Sequence, residues 1–175
     1  TIRKNESGAD ELVMASTGEG LFAVDPATGK TNWSTKVFKM RTISCPQIVG
    51  GLIFGTTGSG GGGNYVVAVR PGPQPELVYE VKKEAPYVPT PVARGNLMFL
   101  WSDKGIVTCI NAADGSKVWQ QRIGGVGNSG SPIRIHDKIY CVDEAGMVVV
   151  LGADNEYKLY GKMDLKEECR STPAV

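Results

Sequence analysis

A small residue followed by proline recurs along this chain at near-even intervals. Pro46 lies in SCPQIVGGLIF, Pro91 in TPVARGNLMF, Pro132 in SPIRIHDKIY and Pro173 in TPAV, separated by 45, 41 and 41 residues. A second marker keeps the same step. The segments GLFAVD, YVVAVR, IVTCIN and MVVVLG end at Asp25, Arg70, Asn111 and Gly152, again 45, 41 and 41 apart. A third marker is aromatic: Trp33, Trp119 and Tyr160 each follow the second by eight residues, and in the second unit Val78 takes that place with Tyr79 beside it. Three markers sharing one period define a repeat, and a period of this length means units that stack on one another. The units run approximately 1–43, 44–89, 90–130 and 131–171, with 172–175 starting a further one.

Each unit reads as four short strands. TPVAR, NLMFLW, GIVTCIN and SKVWQQRI form the clearest set, rich in β-branched and aromatic residues and separated by Gly, Asp, Asn and Ser. No segment carries a capped helical period. YVVAV and MVVVL are apolar at consecutive positions, so both of their faces are expected to be buried. Four strands per roughly 40–45 residues specify a β-propeller blade, and blades must pack around an axis to bury both faces. The expected fold is therefore an all-β propeller of four-stranded antiparallel blades, about four in this chain.

The glycine-rich stretch GTTGSGGGGNY falls between two strand runs, where the third unit has only SDKG and the fourth DEAG. It accounts for the extra length of the second unit, so it is an enlarged hairpin loop. A phosphate loop would need GxxxxGK[ST] leading into a helix, and neither the lysine nor the helix follows.

Composition removes several function classes. The 19 basic and 18 acidic residues leave a net charge of +1, with no polybasic run to suit nucleic acid or an anionic membrane surface. Hydrophobic residues make up 41%, enough for a packed core. No apolar run reaches the roughly 18 residues of a spanning helix. No signal peptide is visible, and the chain begins at Thr1, so this says little about compartment. Cys45, Cys109, Cys141 and Cys169 form no CxxC pair and there is one histidine, so zinc is not expected. Cys109 and Cys141 sit in strand-like runs and are expected to be buried thiols; the sequence leaves a disulfide open.

The best-formed turn is AVDPATGKTNW, in which Asp25 would accept turn amides, Gly29 supplies a positive φ, and Trp33 points toward the neighbouring blade. CINAADGSKVW repeats it with Asn111, Gly115 and Trp119 in register. These residues resemble the AxDxxTGxxxW signature of pyrroloquinoline-quinone-like propeller repeats: Ala23, Asp25, Thr28, Gly29 and Trp33 match fully, Asn111, Gly115 and Trp119 in part. The second and fourth units depart from it, with Arg70 and Gly152 in place of the acid.

The resemblance implies a ring of seven or eight blades. This chain would then be part of one, or STPAV would complete its first blade and close a ring of four, or of two chains with eight. In such rings the loops entering the first strands share one face with the loops between second and third strands. The entering segments here offer Arg41, Thr42, Tyr87, Asn128, Ser129, Glu168 and Arg170. Of these, Arg41, Tyr87, Asn128 and Arg170 are the candidates to hold a multi-carboxylate quinone. Family enzymes add a calcium site and an adjacent-cysteine disulfide. No Cys-Cys pair is present, and the doublets Glu167–Glu168 and Asp143–Glu144 read as solvated turns.

His136 falls on the opposite face, with no nucleophile to serve. Trp101, outside the repeated register, reads either as a recognition aromatic or as packing under its loop. The resemblance points first to a noncatalytic, cofactor-free module that binds protein in the cell envelope, periplasmic or extracellular. It is similar to envelope proteins that use such a ring as a platform, including the lipoprotein scaffold of outer-membrane β-barrel assembly. Its alternatives are part of a quinone-dependent dehydrogenase with calcium, and a ligand- or carbohydrate-sensing module.

Overall fold

A computed structural model of the chain describes residues 1–83, 85–125 and 127–174. They form sixteen strands in four antiparallel sheets, and the fold is the expected all-β stack of propeller blades. Blade 1 holds β1 (Ile2–Lys4), β2 (Asp10–Ser16), β3 (Gly20–Val24) and β4 (Thr31–Thr35). Blade 2 holds β5 (Gln47–Val49), β6 (Leu52–Thr57), β7 (Tyr65–Arg70) and β8 (Glu76–Val81). Blade 3 holds β9 (Val92–Arg94), β10 (Leu97–Trp101), β11 (Ile106–Asn111) and β12 (Lys117–Arg122). Blade 4 holds β13 (Ile133–Ile135), β14 (Lys138–Val142), β15 (Met147–Gly152) and β16 (Leu159–Asp164). Each sheet runs in sequence order from inner to outer strand, as short turns between consecutive strands dictate.

Side chains alternate between the two faces of a strand, so each blade can grip a neighbour on either side. One apolar cluster joins blades 1 and 2 through Val13, Leu21, Ala23 and Trp33 against Ile53, Val67 and Val69. A second joins blades 2 and 3 through Phe54, Val66 and Ala68 against Met98, Leu100 and Ile110. A third joins blades 3 and 4 through Phe99, Trp101 and Cys109 against Ile139, Cys141 and Leu151. Among the described residues no cluster joins blade 4 to blade 1, so the ring is open.

That opening corrects two expectations. YVVAV is buried on both faces as expected, but in MVVVL Val148 and Val150 are only half-buried because no blade covers the outer face of blade 4. STPAV does not complete blade 1 either. Ile2–Lys4 already pairs with β2 in the inner position, and Thr172 lies beside the entry to blade 4. Val175 falls outside the described residues.

The aromatic register also shifts. Ala23 faces Trp33 and Cys109 faces Trp119, but Ala68 faces Tyr79, not Val78. In blade 4 Val150 faces Gly161, and Tyr160 sits at the bulge, 44% exposed and flanked by Lys138 and Lys158. The chain between these facing partners is one residue longer in blades 2 and 4 than in blades 1 and 3. Counting from the inner strand therefore misses by one.

The outer aromatics reach forward. The Tyr79 hydroxyl donates to the Ala112 carbonyl at 2.6 Å, and Trp119 Nε1–H donates to the Asp154 carbonyl at 2.9 Å. Burial, aided by the nearby Asp114 carboxylate, pushes the Tyr79 phenol up to about 12. Gly115 has φ +75°, and a Cβ there would stand 2.6 Å from the Tyr79 ring. The glycine thus turns the chain and makes room for the neighbouring blade's aromatic. In the matching turn of blade 1, Asp25 accepts the Ala27 amide and the Thr28 hydroxyl, both at 2.8 Å. These bonds hold its carboxyl below the ordinary value.

All four cysteines are free. Burial pushes the thiols of Cys109 and Cys141 up to about 12. A thiol reagent at neutral pH should therefore modify exposed Cys45 and half-buried Cys169 in the folded protein, and the other two only after unfolding. Rapid modification of all four thiols without denaturant would contradict this placement.

Candidate functional site

The inner strands β1, β5, β9 and β13 line the side of the stack nearest the axis, and β9 approaches β13 there. Because strands alternate in direction, the segments entering them share one end with the β2–β3, β6–β7, β10–β11 and β14–β15 hairpins. The pre-proline residues of the repeat form a belt at that end. Cys45 N–H donates to Thr90 Oγ1 at 3.1 Å, Thr90 N–H to Ser131 Oγ at 2.9 Å, and Ser131 N–H to Thr172 Oγ1 at 3.0 Å. The small residue before Pro91, Pro132 and Pro173 is thus a hydroxyl that ties its segment to the one before it, while Cys45, before Pro46, contributes only its amide. The sequence displays these hydroxyls in TPV, SPI and TPA, but the spacing alone does not state the bond.

The candidate residues hang from this belt. Arg41 is exposed and its guanidinium lies over the Tyr87 ring, 5.7 Å from the centroid. Its carbonyl is held by the Gly58 amide at 2.9 Å and by the Thr57 hydroxyl at 3.0 Å. The glycine loop therefore pins the segment that carries it. Thr42 donates its hydroxyl to the Thr56 carbonyl at 2.7 Å. Arg170 is largely exposed, with its Nε 3.6 Å from Glu144 Oε2, while Ser129 bonds the other Glu144 oxygen. Glu168 is exposed. Arg41 and Tyr87 are thus brought together, and Arg170 and Ser129 meet through Glu144.

Asn128 is placed differently from the expectation. It is buried, accepting from Trp101 Nε1–H at 3.2 Å and reaching the Ser102 carbonyl with its amide nitrogen at 3.5 Å. Both ends of its amide are engaged inside the protein. The same bond settles Trp101, which is 1% exposed and packs beneath its loop as a core residue.

Asp103, which the sequence reading passed over, accepts the Tyr87 and Val88 amides at 3.4 and 3.3 Å. Burial nevertheless raises its carboxyl above the ordinary value. His136 lies in the β13–β14 turn at the opposite end, at φ +54°. Among the described residues no three His, Cys, Asp or Glu side chains gather as metal ligands.

A family model described as outer membrane protein assembly factor BamB matches residues 60–155. No curated protein matches the sequence significantly. Among solved structures, BamB from Moraxella catarrhalis superposes with a TM-score of 0.74 at 16% identity, over 98% of this chain and 54% of its own. The computationally designed Ika8 protein superposes at 0.72 and 9% identity, over 97% of this chain and 50% of its own. A europium-containing methanol dehydrogenase superposes at 0.61 and 15% identity, over 74% of this chain and 26% of its own. The chain therefore spans about half the length of the first two and a quarter of the third. At these identities the likeness is one of fold.

Proposed function

The chain belongs to the PQQ-like repeat family whose model is described as outer membrane protein assembly factor BamB, and from that membership we propose that it is a noncatalytic propeller module serving as a protein-binding platform in the cell envelope. One observation supports this reading over a cofactor site. At the end of the stack where the inner strands begin, three polar groups suited to a small buried ligand are already engaged with the protein. Asn128 serves Trp101, Asp103 serves two amides, and Glu144 serves Ser129 and Arg170. What remains open to solvent is a broad rim carrying Arg41 and Arg170. Arginine with an adjacent tyrosine suits contact with a protein surface.

The dehydrogenase neighbour motivates a second reading, part of a quinone enzyme in which Arg41, Tyr87 and Arg170 would meet quinone carboxylates. One pair of measurements separates the two. A photoreactive residue placed at Tyr87 should give a discrete protein adduct in the native cell envelope, while one at Lys30, on the opposite end, should give none. The folded protein titrated with pyrroloquinoline quinone and calcium should show no saturable quenching of tryptophan fluorescence. Quenching that Arg41→Ala or Arg170→Ala abolishes, with no adduct at Tyr87, would replace the platform reading by the enzyme reading.

A further inference from the structure

The enlarged glycine loop is one wall of a cavity of about 240 Å³ that opens on the same end of the stack, between blades 2 and 3. Lys82 and Lys83, leaving β8, form the second wall, and Lys104 in the β10–β11 turn forms the third. We propose that this cavity is an anion subsite of the platform, and that it takes a carboxylate side chain from an acidic segment of a protein partner. The inference rests on the platform reading and names the chemistry of what the platform holds.

Three independent features carry it. The first is charge. Three lysines line one small recess, and among the described residues neither Lys83 nor Lys104 has an ion pair. Among the described residues Lys82 pairs with Glu80 at 2.9 Å, and with its own side chain largely exposed this pair competes weakly with a new carboxylate. The second is backbone. Gly62 and Gly63 both have positive φ, +97° and +76°, and the Gly63 amide donates to no acceptor among the described residues. The Gly62 amide is given to the Ser59 carbonyl at 3.0 Å, so of the two the Gly63 amide is the one available to an anion. The third is shape. The glycine loop departs from the repeat by insertion, so this recess belongs to the junction of blades 2 and 3 and is not a feature of every junction.

The source of the anion follows from the fourth charged group. Asp103 also lines the recess, with its carboxyl directed at the Tyr87 and Val88 amides. A dianionic phosphate would meet that carboxylate at close range, whereas a singly charged carboxylate meets half the repulsion. Lysine, unlike arginine, presents a point charge with no preference for a bidentate partner, so it can follow a mobile side chain.

The test uses the folded chain and an acetylated tetraglutamate amide as probe, read by amide chemical shifts. Saturable shifts are expected at Gly62, Gly63 and Lys104, weakening with added salt. The double substitution Lys83→Glu/Lys104→Glu should reduce affinity at least about tenfold. Both positions are exposed, so the variant should fold, and an unchanged melting temperature checks that. An affinity indifferent to the double substitution overturns the proposal, as does inorganic phosphate binding more tightly than the peptide. The Tyr87 photo-adduct separates the two readings. If the adduct forms while tetraglutamate does not bind, the platform stands and this subsite falls; if neither is seen, both fall.

Discussion

Trp101→Ala is expected to lower the free energy of unfolding by about 3–5 kcal/mol, the range for deleting a large buried aromatic. Trp101 is the largest fully buried side chain in the molecule, 1% exposed, and it belongs to the cluster that joins blade 3 to blade 4. Truncation therefore opens a cavity at a seam between two sheets. It also removes the donor from Asn128, which is itself 4% exposed. An orphaned buried amide adds about 1–3 kcal/mol, which places the outcome toward the upper part of the range. Trp119→Ala should cost less, because that indole is half-buried and lies at the periphery beside Tyr157. Urea unfolding of both variants provides the check. A Trp101→Ala midpoint equal to that of the parent chain would mean that the seam is not packed as described.

The second large effect is expected from a glycine. Gly105 opens β11's hairpin at φ +69°, and a Cβ on it would stand 2.2 Å from the Gly124 carbonyl oxygen. Its own carbonyl accepts the Ile123 amide at 2.9 Å, so the two backbones are held at this approach. Gly105→Ala adds left-handed strain of about 1–2 kcal/mol to an overpacking cost of about 1–3 kcal/mol, for a loss of about 2–5 kcal/mol. Gly29 makes the control. It has φ +71° but no atom within 4 Å of the added Cβ, so Gly29→Ala should show the strain alone. Equal losses for the two variants would discard the close-approach account. The same geometry recurs at Gly20 against Thr35 and at Gly146 against Glu167, at 1.9 and 2.0 Å.

Much of the fold was legible because its period is carried by residues with one strong local reason to be there. Pro46, Pro91 and Pro132 each precede an inner strand, and the Asp25 and Asn111 turns read directly as turns. The misreadings came from contacts that cross between blades. Tyr79 occupies the aromatic position of blade 2 because one extra residue separates it from its facing partner, and only its pairing with Ala68 shows this. Gly20, Gly105 and Gly146 could have been found as a fourth marker, since each immediately precedes an apolar strand run. Their reason, a carbonyl on the outgoing chain, lies 15 to 21 residues away in the sequence. Asn128 looked like a ligand because it is an amide in an entering loop. Its partner Trp101 lies 27 residues earlier, and the burial of both decides its role.

The open ring leaves two unlike end faces. The uncovered face of blade 4 presents Tyr140, Val148, Val150 and Met163, with Met163 59% exposed. The uncovered face of blade 1 presents Ile2, Leu12, Met14 and Phe22, on the side opposite Val13. These are different surfaces, one the leading side of a blade and the other the trailing side, so the stack has a polarity around its axis. A further blade of the same build seated on either one would bury these apolar side chains as the three existing seams bury theirs.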